Sequence, residues 1–154
     1  MELYNSLTQD KIHHLAPRPV IALGPECKVS EAIALMKQER TSYVLVLDRG
    51  KLVGIFTERD VLKGILQGTA FTSASVRDKM TANPVTVETD EPIAAAVEKM
   101  TTGGYRHLVV VKDGRPIGVI NVKSLIHYMA EYFPEAVYNL PPKHDAAFKA
   151  PEGA

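Results

Sequence analysis

Apolar and polar positions alternate along this chain in one pattern that is written twice. Residues 43–47 form an unbroken apolar run, Asp48-Arg49-Gly50-Lys51 interrupts it, and residues 52–56 are apolar again. Residues 107–111, Asp113-Gly114 and residues 117–120 repeat that sequence of features 64 positions later, as Gly54 to Gly118 shows. Each pair of runs predicts two buried strands joined by a hairpin, with Gly50 and Gly114 supplying positive φ at the turn. Helical periodicity flanks each pair. Ser30 is expected to cap a helix over 31–40 that buries Ala32, Ile33 and Met36. Asp90 is expected to cap its counterpart, with Pro92 in the first turn and Ile93, Val97 and Met100 inward. After the hairpins, residues 58–67 predict a helix with Val61, Leu62, Ile65 and Leu66 inward and Gly68 as its stop, and residues 123–132 predict another. Short apolar runs at 20–23 and 84–87 predict one more strand at the head of each unit.

The register holds without a gap, from Ala32 and Ala96 through Met36 and Met100 to Gly50 and Gly114. An internal repeat of this length dictates the architecture. The chain divides into a lead-in over 1–19, a first repeat over 20–68, a connector over 69–83, a second repeat over 84–132 and a proline-rich tail over 133–154. In the lead-in, Thr8 is expected to cap a short helix through Leu15, ended by Pro17 and Pro19; in the connector, Ser75 opens one turn through Met80. Pro134, Pro141, Pro142 and Pro151 predict an extended or disordered tail, with Phe133, Val137, Tyr138 and Leu140 available for docking on the body or on a partner. The expected fold is α/β (α+β): two β-α-β-β-α repeats related by a pseudo-twofold axis. A unit of this size has too little core to stand alone, so the two must share one. Symmetry then predicts two clefts, each built from both repeats.

Composition narrows the function. The 154 residues carry 18 basic and 18 acidic side chains, a net charge of zero, which argues against a general nucleic-acid or anionic-membrane binder. The single cysteine, Cys27, excludes a disulfide framework and points to a reducing cytoplasm. Residues 1–10 lack the apolar core of a signal peptide, and apolar runs of five to six residues are far short of a membrane span. His13 and His14 are adjacent and point apart on a helix, so they make no metal site. A nucleophile elbow, a zinc motif and a dinucleotide glycine fingerprint are all missing, and the chain is expected not to be an enzyme.

The string Gly54-Ile55-Phe56-Thr57-Glu58-Arg59-Asp60, the repeat length and the tandem arrangement over about residues 17–132 resemble a cystathionine-β-synthase (CBS) domain pair. The resemblance implies a stand-alone regulatory module that senses AMP, ADP, ATP, NAD or S-adenosylmethionine in its inter-repeat clefts, forms a homodimer and requires no cofactor. It implies roles for particular residues. Thr57 and Asp60 would bind the ribose. Arg106, His107 and Lys123, with Arg59 in reach of a longer phosphate chain, would bind phosphate. Pro84, Val85, Ile55 and Phe56 would hold the adenine. An alternative is a ligand-independent interaction or dimerisation module that regulates an unidentified partner protein.

Thr57 and Asp60 also fit a helix-capping box, a purely local role. The second repeat supplies a control: Asn121 and Ser124 stand at the same places, so the turn is expected to cap without a carboxylate. An ionised carboxylate accepts two hydrogen bonds from a cis-diol, so Asp60 suits both roles. The second cleft is expected to be degenerate. Val20, Ile21, Ser42, Tyr43, Asn121 and Ser124 would line it, and Arg59 would be its one basic group.

Overall fold

The computed structural model describes residues 2–138. Its first half runs α1 (Glu2–Gln9), a 3-10 turn (Ile12–Leu15), β1 (Ala22–Leu23), α2 (Val29–Glu39), β2 (Tyr43–Asp48), β3 (Lys51–Thr57) and α3 (Glu58–Gly64). It continues through α4 (Thr69–Thr72), α5 (Val76–Lys79), β4 (Thr81–Ala82), β5 (Thr86–Glu88), α6 (Ile93–Gly103), β6 (His107–Lys112), β7 (Arg115–Asn121), α7 (Val122–Tyr132) and α8 (Pro134–Tyr138). Both halves therefore carry the predicted β-α-β-β-α order. One sheet has the order β1-β2-β3-β4 and the other β5-β6-β7. In each, the leading strand lies parallel to the next, and the following pair is an antiparallel hairpin. Arg49 and Gly50 (φ 53° and 83°) and Asp113 and Gly114 (φ 53° and 78°) are all left-handed. Two such central residues make the hairpin turn that matches strand twist.

Strand alternation sorts the apolar runs into layers. Tyr43, Leu45 and Ile55 pack with Val109, Val111 and Val119 in one cluster that spans the two sheets. Their neighbours point the other way. Val44, Val46 and Phe56 pack with Val29, Ala32 and Met36 of α2, while Leu108, Val110 and Ile120 pack with Ile93, Ala96 and Met100 of α6. Both faces of the central strands are buried, which explains why their sequences are apolar without interruption.

Several local expectations give way to tertiary structure. Thr8 does not cap a helix; it closes α1, its hydroxyl donating to the Asn5 carbonyl at 2.8 Å. Ile12 and Leu15 are buried in the core of the second half, and the Tyr128 hydroxyl donates to Asp10, so the lead-in is stitched to α7. Neither Ser30 nor Asp90 is the cap. The N-cap of α2 is Lys28, whose N–H donates to Glu31 at 2.7 Å, and that of α6 is Pro92, which has no N–H to satisfy. The leading strands are shorter than 20–23 and 84–87. The α-helix after β3 ends at Gly64 and tightens into a 3-10 turn over Ile65–Gln67. Its inner face is Asp60, Val61 and Gly64, so Leu62, Ile65 and Leu66 point outward, 74%, 55% and 97% exposed. The tail is not extended at its start: Phe133 packs on the second core and α8 follows. Leu140, Pro141, Pro142 and Pro151 lie outside the described residues.

The repeated glycine has a packing cause at Gly118. Arg18 pairs with Val119 across β7 through two backbone hydrogen bonds of 2.8 and 2.9 Å. A Cβ on Gly118 would stand 2.8 Å from the Arg18 carbonyl oxygen and 2.7 Å from Pro17 Cβ. Backbone cannot retreat as a side-chain tip does. Gly118→Ala should destabilise the protein by about 1–3 kcal/mol. An unchanged urea midpoint would show that the lead-in does not press on β7.

Candidate functional site

Two cavities lie between the halves. The larger, about 470 Å³, is bounded on one side by the turn from β3 into α3, with Thr57, Arg59, Asp60 and Lys63. On the other side stand Tyr105, Arg106 and His107 at the start of β6, together with Asn121 and Lys123 at the start of α7. The β3–α3 and β7–α7 turns and the entry into β6 put these side chains at strand ends, where the sheet stops and a cleft opens.

Asp60 is 8% exposed and caps α3. Both of its protein hydrogen bonds arrive at Oδ2: the Thr57 N–H donates at 2.9 Å and the Thr57 hydroxyl at 3.2 Å. In the second repeat the cap closes on itself. The Asn121 N–H donates to Ser124 Oγ at 3.1 Å, and the Ser124 N–H donates to Asn121 Oδ1 at 3.1 Å. The fold thus caps this turn with neutral side chains in one copy and with a buried carboxylate in the other.

His107 is half-buried and its Nε2 lies 3.0 Å from Ser42 Oγ. Its register mate Tyr43 packs beside it, ring centroids 5.8 Å apart, near the pseudo-twofold axis. Burial lowers the His107 pKa below the ordinary histidine value, Glu58 opposes that shift and Arg106 adds to it. His107 is therefore neutral at pH 7, a hydrogen-bonding group and not a third cation. Because the unfolded chain binds this proton more readily, His107 favours the fold fully above the ordinary histidine range. That stability is lost as pH falls through the range. Urea midpoints at pH 8 and pH 5.5 should fall less steeply for His107→Gln than for the parent; equal slopes would refute the shift.

The cavity unites Thr57, Asp60, Ile55 and Arg59 with Arg106, His107 and Lys123. It does not include Phe56, Pro84 or Val85. Phe56 follows Ile55 on a strand, so it faces α2 and stacks on Phe71, centroids 6.3 Å apart. Val85 packs against the second core. Sequence reasoning missed Lys63 and Tyr105. Lys63 carried a signal, being four residues from Arg59 and so on the same helix face. Tyr105 carried none; it is 44% exposed, just beyond the α6 stop at Gly104.

The smaller cavity, about 450 Å³, is the symmetry counterpart, and Ser42, Tyr43 and Asn121 line it as expected. Val20, Ile21 and Ser124 do not. Val20 is exposed, Ile21 packs on the shared core, and Ser124 is occupied by its cap. Arg59 is not this cavity's basic group, because it lines the other one. Arg18, Lys37, Arg40 and Lys123 are here instead. The first three come from the lead-in and the end of α2, positions whose register mates Ala82, Thr101 and Gly104 are uncharged. Comparing repeats from the donors of the first cleft therefore did not lead to them.

The CBS domain family model matches residues 12–67 and again 76–131. The chain belongs to the CBS-domain family. A crystal structure of a CBS-domain containing protein from Agrobacterium tumefaciens superposes with a TM-score of 0.71 at 32% identity, over 77% of this chain and 98% of that one. A CBS domain protein from Pyrobaculum aerophilum complexed with AMP reaches 0.69 at 24% identity, over 75% and 89%. The CBS pair of a further protein, complexed with 5′-methylthioadenosine and S-adenosylmethionine, reaches 0.70 at 24%, over 77% and 98%. A mitochondrial CBS domain-containing protein of Arabidopsis thaliana is 30% identical over 118 residues; these are 73% of this chain and 57% of that protein, so the CBS pair spans little more than half of it. Among the described residues of this CBS pair, no helix is long and apolar enough to cross a membrane, and no group of three His, Cys, Asp or Glu side chains converges to hold a metal.

Proposed function

We propose that this CBS pair is a regulatory, non-catalytic sensor of AMP or a related adenosine compound, bound in the 470 Å³ cavity. The observation that carries the reading is the Asp60 carboxylate, buried at the cavity wall with both protein hydrogen bonds on Oδ2, in one cavity with Arg106 and Lys123. Oδ1 is then the acceptor for ribose hydroxyls. Arg106 and Lys123 take the phosphate charge, with Arg59 and Lys63 in reach of a longer phosphate chain, and His107 adds a neutral hydrogen bond. Ile55 and the exposed ring of Tyr105 offer apolar surface for the base. Complexes of relatives of the same fold with AMP and with S-adenosylmethionine support the ligand class.

Because the site is built from both halves, a ligand favours the arrangement of halves it fits and shifts the population toward it. At a hundredfold excess over Kd the stabilisation is about 2.7 kcal/mol. Calorimetry with AMP, ADP, ATP, NAD and S-adenosylmethionine tests the reading. Saturable binding of at least one at one site per chain is expected; no heat from any of the five overturns it.

The outward-facing Leu62, Ile65 and Leu66, with Val122 and Ile126 of α7, form exposed apolar helix surface. It suits a homodimer, which would carry the sensor's response to a partner protein. Light scattering should give twice the chain mass, and Leu66→Asp should shift it toward monomer. A monomeric parent refutes the dimer.

A further inference from the structure

The second cavity gathers Arg18, Lys37, Arg40 and Lys123 around 450 Å³, with Glu58 as its one acid. Among the described residues, none of the ion pairs within 4.0 Å involves any of these four cations. Like charges gathered in one cavity repel, so such a cluster disfavours the fold unless something anionic fills it.

Two features of the repeat bear on the cluster. First, basic residues at the end of a helix also serve its dipole, and Lys37 and Arg40 end α2. The equivalent helix α6 has no basic residue in its last turn, so the architecture does not need them. Second, Arg40 adopts the left-handed conformation (φ 52°) at the place where the other repeat has Gly104 (φ 70°). A side chain there costs about 1–2 kcal/mol that glycine avoids. The chain keeps a strained arginine at this cavity and a relaxed glycine at its counterpart.

The ribose acceptor is missing as well. Ser124 stands in the place of Asp60, and its hydroxyl is engaged with Asn121. The cavity offers charge without a buried carboxylate at the place that Asp60 holds in the first cavity. Four cations against one acid exceed what a phosphomonoester, at about −1.5 to −2, would neutralise. We propose that this second cleft binds a condensed phosphate group, a diphosphate or longer, recognised through Arg18, Lys37 and Arg40 by charge and not by nucleoside. Lys123 also lines the first cavity, so it lies between the two sites.

The test is calorimetry of inorganic pyrophosphate into the full chain at low salt. One site per chain is expected, weakening as salt rises. Arg40→Gly copies the other repeat and relieves the strained backbone, so it should fold at least as well as the parent. It should weaken pyrophosphate binding about tenfold, and Lys37→Gln should add to the loss. Exchanging Thr57 and Asp60 for Asn and Ser should leave pyrophosphate binding intact while removing any AMP binding, so the two sites succeed or fail separately. ATP distinguishes the sources of the phosphate. If ATP displaces pyrophosphate and AMP does not, the cavity takes the phosphate chain of a nucleotide; if both ATP and pyrophosphate bind together, it takes the free anion. Either supports the assignment. Absence of pyrophosphate binding at low salt, indifference to Arg40→Gly, or its loss in the Thr57/Asp60 exchange overturns it.

Discussion

Asp60→Ala should weaken AMP binding by about 1.5–3 kcal/mol, roughly tenfold to somewhat over a hundredfold in Kd. Of the two acids that the first repeat brings to the larger cavity at the end of β3, Glu58 is exposed and Asp60 is buried, and the Asp60 cap uses a single oxygen. Truncation removes a charged acceptor from a site that already excludes most solvent from it. The same change leaves the Thr57 N–H without its partner, which costs about 0.5–2 kcal/mol of stability. A lost affinity alone would therefore be ambiguous. The second repeat contains the control. Thr57→Asn combined with Asp60→Ser reproduces the Asn121–Ser124 cap, whose reciprocal bonds are complete without a carboxylate. That double variant should keep the parent's unfolding free energy within about 0.5 kcal/mol and still lose AMP binding. If it binds AMP as the parent does, Asp60 is a helix cap and nothing more.

Leu45→Ala should cost about 2–5 kcal/mol, the largest effect on stability expected here. Leu45 is fully buried in the cluster that spans both sheets, between Ile55 of its own hairpin and the β6 and β7 valines of the other half. A cavity there loosens both repeats at once. Unfolding should stay a single transition, with circular dichroism and tyrosine fluorescence coincident, because neither half retains a complete core. Separate transitions for the two probes would mean that the repeats fold independently, and that the clefts between them are not held by a common core.

Much of this protein is legible in one dimension. Apolar runs broken by Asp-Arg-Gly-Lys and Asp-Gly dictate two hairpins, because strand pairing and turn chemistry are local. The equal spacing of those hairpins dictates two copies of one unit. Thr57 and Asp60 were legible because the second copy puts Asn121 and Ser124 at the same strand-to-helix turn, and Arg106, His107 and Lys123 through the CBS resemblance; all five line one cavity. Phe56 was misread because a string of residues looks like one contact surface, whereas a strand sends adjacent side chains to opposite faces. Leu62, Ile65 and Leu66 were misread because helical periodicity shows that an apolar face exists, not which way it points. Ser30, Asp90 and Thr8 were misread because a side chain able to cap a helix is not obliged to do so when neighbouring carboxylates or a proline take the terminus.

The sequence by itself determined the repeat, its strand and helix order, and the imbalance between Asp60 and Ser124. These depend on side-chain identity and near-neighbour spacing. Only the tertiary structure decided that Arg18, Lys37 and Arg40 meet in one cavity, and that burial lowers the pKa of His107, which stands beside Ser42 and Tyr43. Those properties arise where the lead-in crosses β7 and the two sheets close on each other, between residues too far apart in the chain for any local pattern to connect.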